Sequence, residues 1–360
     1  DPEFSYHAYY RVNYFSTNNN YNAYRRAMEY LDRGVYAIQT QKGIFVSWRL
    51  LATEYGKNIK FNIYRNGTLV NEEPITDKTN YIDVDGKAGD IYTVETILDG
   101  KRYLSDPYEA TSENYISIPL QNPGPQKTLS GEWSDYTPND VGVADVDGDG
   151  QYEILVRWSG AGYDPGSPTR NWAPSIYDVY RLDGTPLWRL NLGYEMPNSA
   201  HMNNFMFYDL DGDGKAELFI KTSDGAVTYR PNDDGVFDMT DESTIVSYIG
   251  DPDVVPGSGI EGNGVAGPNS NEYVTVFNGL TGEEIDTVEF ANPVEDFNIW
   301  GDNYGNRASR YNIAIAYLPK YPDDANSTET IPAVLINRGY YDRTTVAAYT
   351  LRDGKINLEW

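Results

Sequence analysis

The chain has 360 residues, which is long enough for two domains or for one large β domain. Its formal net charge of −26 argues against a nucleic-acid partner, because binding to phosphates needs clustered lysine and arginine. It has no cysteine, which excludes disulfide bonds, so we expect stability from core packing. It has no apolar run long enough to cross a bilayer, so we expect no membrane association.

The first 27 residues carry no clear hydrophobic period. Residues 1–4, with the sequence DPEF, are typical of a cloning-vector scar, and we expect that any export signal of the natural chain was removed with the residues that they replace. Residues 5–27 are rich in tyrosine and asparagine, and we expect an extended leader there. Helical periodicity occurs only in the short segment Ala23–Asp32. The remaining pattern predicts an all-β protein.

Residues 28–120 contain short apolar runs at regular spacing. Three turn dipeptides that favour tight hairpins separate these runs: Asn66-Gly67, Asp85-Gly86 and Asp99-Gly100. Trp48 lies on an early run, and Tyr64 and Tyr92 lie on later ones. This pattern predicts a fibronectin type III-like β-sandwich. Because it carries no cluster of titratable groups, we expect a spacer or clamp and not a site.

The chain repeats itself loosely after a Pro/Gly-rich linker at residues 121–130. Within residues 131–360, three segments each contain an apolar strand, a glycine turn and a returning strand: VYRLDGTPLWRL, TVFNGLTGEEIDTV and AYTLRDGKINLEW. Their spacing suits the blades of a β-propeller with insertions between strands. The insertions at 159–176, 230–270 and 319–330 are where we expect functional loops.

Two near-identical acidic segments, DVDGDGQYE and DLDGDGKAE, begin 64 residues apart, at Asp145 and Asp209. Carboxylates this close repel one another unless a hard cation neutralises them, and Ca²⁺ takes about six to eight oxygen ligands. The glycines at positions 4 and 6 allow the positive φ angles of a tight loop. The predicted ligands are Asp145, Asp147, Asp149, Gln151 (by its carbonyl) and Glu153 in the first loop, and Asp209, Asp211, Asp213, Lys215 (by its carbonyl) and Glu217 in the second.

Neither segment is an EF-hand, because position 12 is Val156 or Ile220 instead of a glutamate, and the residues that follow are typical of a strand. Two alternatives stay open for these loops. They could be acidic turns that bind no ion, although the repetition of the whole pattern favours an ion. The calcium could also be structural or catalytic, and the structural interpretation is favoured.

Several long motifs in a fixed order resemble bacterial rhamnogalacturonan lyases of polysaccharide lyase family 11 over residues 28–360. They include AMEYLDRGVYAIQTQKGIFVSWRLL, YTPNDVGVADVDGDGQYEILVRW, HMNNFMFYDLDGDGKAELFIKTSDG, WGDNYGNRASRYNIAIAYL and LINRGYYDRTTVAAYTLRDG. The resemblance implies a small β domain followed by an eight-bladed, calcium-binding propeller, of which this chain would contain about half. It also implies β-elimination in the rhamnogalacturonan I backbone of pectin. Missing blades or a second copy of the chain would then complete the propeller.

The resemblance also transfers the roles of individual residues. Asn139 is implied to contact substrate, and Asp140 beside it is a candidate calcium ligand. Ser159 stands where the family commonly has a substrate-contacting aspartate, so we expect a different subsite there. The proposed base of the family is implied to lie outside this chain, and the catalytic residue stays unknown.

Other charged residues are weaker candidates. His201 precedes the second loop by eight residues, and Arg157 and Lys221 each lie twelve residues after the first aspartate of a loop. A structural role is favoured over catalysis for all three, and for Arg157 and Lys221 it is also favoured over a contact with a sugar carboxylate. Four arginines suit a galacturonate carboxylate, although solvated or ion-paired arginine is favoured: Arg307, Arg310, Arg338 and Arg343. Four aspartates are a candidate third ion site: Asp233, Asp234, Asp238 and Asp241.

Two functions of other classes stay open. One is a non-catalytic, calcium-dependent propeller for carbohydrate binding or adhesion, which fits a chain without a clear acid/base pair. The other is a glycoside hydrolase, which needs a carboxylate on each side of the scissile bond. The ordered motifs favour the lyase over both.

Overall fold

A computed structural model describes residues 12–13, 25–26, 32–51, 54–161, 171–262, 265–324 and 326–360. These residues form strands, with two short 3-10 helices at Glu242–Thr244 and Phe297–Trp300, which confirms the all-β prediction. No helix in these ranges is long and apolar enough to span a membrane. Apart from the two-residue strands β1 (Val12–Asn13) and β2 (Arg25–Arg26), the predicted leader lies outside the described residues. β2 lies within Ala23–Asp32, where the sequence shows helical periodicity, but its two residues form a strand and not a helix.

The chain divides into two compact units. The first comprises Asp1–Asn13, Tyr30–Ser117 and Asp149–Gln151, and the second comprises Tyr14–Glu29, Ile118–Gly148 and Tyr152–Trp360.

The first unit contains two antiparallel sheets over one core. Its strands are β3 (Tyr36–Thr40), β4 (Gly43–Ser47), β5 (Ile59–Arg65), β6 (Thr68–Leu69), β7 (Asn80–Asp83), β8 (Ile91–Leu98), β9 (Lys101–Leu104) and β10 (Tyr108–Glu109). One sheet has the order β3-β4-β7, and the other has the order β10-β8-β5-β6 with β9 paired to β8. Trp48 and Phe61 pack edge to face in the core, with ring centroids 5.2 Å apart.

The turn dipeptides of this unit have two different roles. Asn66 and Gly67 both have positive φ and join β5 to β6, and Asp99 and Gly100 do the same between β8 and β9, as the sequence predicts. The dipeptide Asp85-Gly86 is not a hairpin turn, because it follows β7 and leads to β8 in the other sheet. A Cβ atom at Gly86 would lie 2.0 Å from the Tyr92 hydroxyl. Close packing therefore requires that glycine.

Among the described residues, the second unit contains three larger sheets. Its strands are β11 (Gln126–Lys127), β12 (Trp133–Ser134), β13 (Thr137–Ala144), β14 (Glu153–Ser159), β15 (Ile176–Tyr180), β16 (Pro186–Asn191), β17 (Phe205–Tyr208), β18 (Glu217–Thr222), β19 (Ala226–Tyr229), β20 (Ile245–Ile249), β21 (Ile260–Glu261), β22 (Val265–Ala266), β23 (Tyr273–Asn278), β24 (Glu284–Glu289), β25 (Tyr311–Pro319), β26 (Thr330–Arg338), β27 (Thr345–Arg352) and β28 (Lys355–Leu358). The first sheet is β13-β14-β15-β16-β19-β20, the second is β17-β18-β23-β24, and the third is β25-β26-β27-β28. β11 pairs with β12, and β21 pairs with β22.

The three hairpins predicted from their glycine turns are present. They are β15–β16, β23–β24 and β27–β28. In the last of these, Asp353 and Gly354 both have positive φ, which a two-residue turn of this kind requires.

Residues 121–130, expected as a linker, are part of the second unit. The Gln121 side chain donates to the Gly235 carbonyl at 2.7 Å and accepts from the Phe237 amide at 2.9 Å. Arg189 donates to the Gln121 carbonyl at 2.6 Å. These bonds anchor the segment to the first sheet and to the loop before its last strand.

Consecutive sheets of the second unit share hydrophobic cores, and β18 shows how the sequence achieves this. Its side chains alternate between two faces. Leu218 and Ile220 belong to the core shared with the first sheet, while Phe219 belongs to the core shared with the third. All six β18 residues are therefore buried, and each large apolar side chain contributes about 2–3 kcal/mol. The same alternation directs the Lys221 side chain toward the third sheet. On β14 of the first sheet, it directs the side chains of Leu155 and Arg157 toward the second sheet.

Candidate metal sites

Each acidic loop joins the first two strands of a sheet and gathers three carboxylates. In the first loop these are Asp145, Asp147 and Glu153, and in the second they are Asp209, Asp211 and Glu217. One oxygen from each member of a group lies within 4.8 Å of the others. Three clustered carboxylate oxygens fit a hard cation such as Ca²⁺, and they would repel one another without one.

The two loops have the same internal hydrogen bonds. Position 1 accepts from the glycine amide at position 4, with Gly148 to Asp145 and Gly212 to Asp209 both at 2.7 Å. Position 9 accepts from the amide at position 2, at 3.0 Å for Glu153 and 2.9 Å for Glu217. All four loop glycines have positive φ, as the sequence predicts: Gly148, Gly150, Gly212 and Gly214. The repeated sequence therefore folds into a repeated loop.

The predicted ligands at positions 5 and 7 are not members of these groups. The carboxylates of Asp149 and Asp213 accept from the amides of Gln151 and Lys215, each at 2.8 Å. The prediction that Gln151 and Lys215 coordinate through their carbonyls stays a prediction.

The residue beside each loop differs between the two sheets. In the first sheet Tyr180 pairs with Ile154, so Arg181 lies across from Glu153. Its guanidinium is 2.7 Å from an Asp147 carboxylate oxygen and 3.8 Å from a Glu153 oxygen. In the second sheet Glu217 pairs directly with Asn278, which occupies the position of Arg181. The first loop therefore has an adjacent cation from its own sheet, and the second has a neutral amide at that position.

The carboxylates of the second loop are perturbed in the ion-free protein. Burial, together with the charges of Asp211 and Asp213, raises the pKa of Asp209 to about 7. Burial and the neighbouring aspartates raise the pKa of Glu217 to about 9. The pKa of Asp211 is also raised, first by burial and then by Asp213. A bound divalent cation would favour the ionised forms and reverse these shifts.

Arg157 and Lys221 lie at equivalent positions of β14 and β18, and both are buried. Arg157 donates to the side-chain oxygens of Asn198 and Asn203, each at 3.2 Å, and to Asp140 at 3.3 Å. Lys221 binds the Glu272 carboxylate and donates to the Tyr311 hydroxyl at 3.0 Å. Both cations thus hydrogen-bond to other side chains of the protein. Their predicted structural role stays a prediction.

Glu272 is a buried carboxylate that the sequence analysis did not identify. Arg338, which is also buried, donates to it at 2.6 Å, so Glu272 has two cationic partners. Burial favours the neutral acid, but the charges of Lys221 and Arg338 outweigh it and lower the pKa of Glu272. Its local sequence, NEYVTV, has no motif, and its partners are 51 and 66 residues away, so no sequence signal marks it.

Arg189 and Asp178 form a second buried ion pair that was not identified. They face each other across the β15–β16 hairpin, and Arg189 donates to Asp178 at 2.6 Å and 2.7 Å. The Trp158 indole and the Tyr180 hydroxyl also donate to Asp178, each at 2.7 Å. The predicted β15–β16 hairpin places Asp178 and Arg189 opposite each other, so pairing the two strands in the sequence would have identified this ion pair.

The predicted substrate contacts lie at the opposite end of the first sheet from its acidic loop. Asn139 is exposed near the beginning of β13. Ser159 ends β14 and pairs with Thr137, and its buried hydroxyl has no hydrogen-bond partner in the described part of the chain. Asp140 is half exposed and hydrogen-bonds Arg157, and it does not belong to either carboxylate group.

The remaining candidates are spread over the second unit. The backbone amide of His201 donates to the Ser199 hydroxyl at 3.2 Å, and its carbonyl accepts from the Tyr311 amide at 3.0 Å. The four aspartates of the candidate third ion site, Asp233, Asp234, Asp238 and Asp241, do not form a metal-sized group within the described ranges. Asp238 and Asp241 instead accept from nearby amides, at 2.9 Å each. Of the four arginines, only Arg338 is fully buried.

Comparison with known proteins identifies the family. Residues 26–110 match the model described as "Rhamnogalacturonan I lyases beta-sheet domain", and residues 115–360 match "Rhamnogalacturonan lyase family 11, C-terminal domain". The chain is 40% identical over 336 residues to rhamnogalacturonan endolyase YesW of Bacillus subtilis (strain 168), covering 93% of this chain and 49% of YesW. It is 38% identical to rhamnogalacturonan exolyase YesX of the same strain, covering 93% of this chain and 50% of YesX.

Solved structures give the same result. The crystal structure of YesW matches with a TM-score of 0.79 at 38% identity, covering 93% of this chain and 52% of that one. The Bacillus licheniformis rhamnogalacturonan lyase PL11 matches with a TM-score of 0.78 at 38% identity, covering 94% of this chain and 53% of that one. The chain thus spans about half the length of the relatives that it matches. It belongs to rhamnogalacturonan lyase family 11.

Proposed function

We propose that this protein is a calcium-dependent rhamnogalacturonan lyase. It cleaves the rhamnogalacturonan I backbone of pectin between rhamnose and galacturonate by β-elimination and leaves unsaturated galacturonate ends. The observation that carries this proposal is the ordered match of both units to domains of rhamnogalacturonan lyases. Because the two Bacillus subtilis relatives are named for endo and exo cleavage, the proposal specifies the bond and not its position in the polymer.

We propose further that the first unit is a fibronectin type III-like sandwich and that the three large sheets are propeller blades. Two sheets over a single core support the first assignment. For the blades, the support is that successive first strands are neighbours, with β13 beside β17 and β17 beside β25. Consecutive sheets also share a hydrophobic core, as blades do.

The chemistry of β-elimination determines which residues are candidates. A base removes the proton at C5 of galacturonate, the C4=C5 double bond forms, and the C4–oxygen bond breaks so that the oxygen leaves with the neighbouring sugar and takes up a proton. A cation at the carboxylate stabilises the negative charge that develops. Calcium at the sugar carboxylate would supply that stabilisation. The two acidic loops are proposed to be structural instead, because they join the ends of β13 and β17 that are remote from the position of Asn139. Asn139 is the proposed substrate contact, and Arg157 and Lys221 are not proposed as the base.

A secreted location follows from the proposed substrate, because a cell-wall polysaccharide is too large to enter a cell. A chain of net charge −26 without cysteine is compatible with export.

The proposed activity is tested with rhamnogalacturonan I and with homogalacturonan, which has no rhamnose. The expected result is a rise in the ultraviolet absorbance of unsaturated uronate ends with rhamnogalacturonan I and calcium, and little rise with chelator or with homogalacturonan. Asn139→Ala is expected to lower the rate. A folded, calcium-loaded protein that binds the polymer without any absorbance change would support the non-catalytic carbohydrate-binding alternative.

A further inference from the structure

One end of the third sheet carries an exposed surface of arginine and tyrosine. Arg307 and Arg310 lie within the four residues before β25, and Tyr340 and Tyr341 follow β26 after Gly339. The pairing of Tyr311 with Arg338 brings these two segments together. Tyr340 is 53% exposed and Tyr341 is 62% exposed, which is unusual for such large rings beside a packed sheet. We call these four residues the arginine–tyrosine surface.

The arginines of this surface are held in place by their neighbours. The Arg307 guanidinium stacks 3.6 Å from the centre of the Tyr341 ring and donates to the Gly301 carbonyl. The Arg310 guanidinium lies 5.9 Å from the Tyr340 ring and donates to the Asn306 side chain at 2.9 Å.

The loop that presents Arg307 is fixed as well. Asp302 accepts from the Gly305 and Arg307 amides, each at 2.7 Å. Two cations on a fixed loop lose little conformational freedom when they bind a ligand.

The charge of Arg307 makes this surface unusual in so acidic a chain. In the part of the chain that the structure describes, no carboxylate oxygen lies within 4.0 Å of the Arg307 guanidinium. Arg343 nearby pairs with Glu295 at 3.1 Å, and both of these side chains are at least 36% exposed, so an incoming anion can compete for that arginine. Two carboxylates lie near Arg307 without forming an ion pair with it in the described part of the chain. Asp302 accepts backbone amides, including that of Arg307. The Asp342 carboxylate lies close to Gly301, as the Arg307 guanidinium does, and it offsets part of the positive charge without a direct contact.

The ligand chemistry follows from these two residue types. A guanidinium binds a planar carboxylate through two parallel hydrogen bonds, and a tyrosine ring packs on the apolar face of a sugar while its hydroxyl stays in water. The surface also lies at the sheet end that corresponds to Asn139 and Ser159 of the first sheet, since β25 and β13 both begin there. A uronate has both required features, a carboxylate and a sugar ring.

We propose that the arginine–tyrosine surface is a binding site for galacturonate residues of an acidic polysaccharide. Arg307 binds the sugar carboxylate, and Tyr340 and Tyr341 pack against sugar rings. The choice of galacturonate over other uronates rests on the proposed lyase function. The site itself does not, because a uronate-binding surface is measurable whether or not the chain cleaves anything.

The test is calorimetric titration of the whole chain with trigalacturonate, and with the same trisaccharide after reduction of its carboxyl groups. Wild-type protein is expected to bind trigalacturonate, more weakly as salt is raised, and to bind the neutral trisaccharide at least about tenfold more weakly. Arg307→Gln and Tyr341→Ala are each expected to weaken binding by about tenfold or more. The affinity of Arg307→Lys is expected to lie between those of the wild type and Arg307→Gln. Lysine keeps the positive charge but cannot form the two parallel hydrogen bonds of a guanidinium.

Two matched controls test whether the loss of any exposed arginine or any exposed tyrosine would weaken binding equally. Arg230 is an exposed arginine that donates to the Ser243 carbonyl, much as Arg307 donates to Gly301. Tyr321 is 51% exposed with the Lys320 amine 5.8 Å from its ring. Arg230→Gln and Tyr321→Ala are expected to leave binding unchanged.

Three results would overturn the proposal: no binding by the wild type, equal binding of the neutral trisaccharide, or binding that Arg307→Gln and Tyr341→Ala leave intact in chains with wild-type melting curves. Cleavage is measured separately by ultraviolet absorbance. Failure of the lyase proposal would leave the absorbance unchanged, whereas failure of the binding-site proposal would appear in the calorimetric titration.

Discussion

The first and second sheets carry the same two features, an acidic loop at one end and a buried cation twelve residues after its first aspartate. They distribute charge in opposite ways. In the first sheet the loop has Arg181 beside it, and the buried Arg157 is bound by two neutral amides and the half-exposed Asp140. In the second sheet the loop has Asn278 at that position, and the buried Lys221 is bound by the buried carboxylate Glu272.

This difference shows that a repeated motif does not have a fixed electrostatic role. The loop sequence determines the backbone and the cluster of carboxylates, and both copies agree in these. Neighbouring residues outside the repeat determine how much of the negative charge an external cation must neutralise. Arg181 lies 2.7 Å from Asp147 of the first loop. In the second loop, by contrast, the charge of Lys320 is the smallest of the influences on the pKa of Asp211. We therefore expect the second loop to depend on calcium more strongly than the first.

The largest expected effect is on stability in the absence of calcium. Asp209 and Glu217 have folded pKa values of about 7 and about 9, above their ordinary values of 3.8 and 4.5. For a group whose folded pKa is raised, the stability contribution is present below the ordinary pKa and is lost as pH rises through the folded one. Chelated protein should lose stability from about pH 4 to pH 9, by on the order of 10 kcal/mol in total for the two groups.

Thermal melts across this pH range, with calcium and with chelator, measure the effect. The stabilisation by calcium should grow as pH rises, because the carboxylates that the ion neutralises are then ionised. Glu217→Gln should flatten the chelated curve, and Glu153→Gln in the first loop is the matched comparison, with a smaller change. A chelated protein that becomes more stable between pH 5 and pH 8 would contradict the assignment of these groups.

The next effect concerns the buried cations. Glu272→Gln leaves Lys221 and Arg338 in the interior without their carboxylate, and we expect a loss of about 3–5 kcal/mol of unfolding free energy. Asp140→Asn in the first sheet is the counterpart and should cost less than about 1 kcal/mol, because the Asp140 side chain is 53% exposed. Urea unfolding of both variants measures the difference. Equal costs would mean that the two buried cations have equivalent environments.

The sequence predicted local features of these sheets well and long-range ones poorly. The loop glycines, the hairpins at Asn66-Gly67 and Asp99-Gly100, and the equivalence of Arg157 and Lys221 all depend on residues close together in the chain. The dipeptide Asp85-Gly86 was misassigned as a hairpin, because its glycine is required by the distant Tyr92 hydroxyl. Glu272 was missed for a similar reason. Its role exists only once β18, β23 and β26 are packed together.

The smallest expected effect, and the most direct test of the comparison, is an exchange of the residues beside the loops. Arg181→Asn removes a positive charge next to the first carboxylate group, so calcium should bind there about tenfold more tightly. Asn278→Arg adds one next to the second group, so calcium should bind there about tenfold more weakly. Each variant is made in a chain whose other loop is disabled, by Asp209→Asn with Asp211→Asn or by Asp145→Asn with Asp147→Asn.

Calcium titration by calorimetry, with circular dichroism to verify folding, measures both constants. Arg230→Asn is the control for removal of an exposed arginine. Arg230 directly follows β19, which is three strands from β14 in the first sheet, so the change should leave both affinities unchanged. If Arg181→Asn weakened calcium binding, the guanidinium would be orienting Asp147 for the ion and not competing with it. Opposite shifts in the two loops would instead establish that a single residue beside the loop, Arg181 across from Glu153 or Asn278 across from Glu217, adjusts the calcium affinity of the same set of carboxylates.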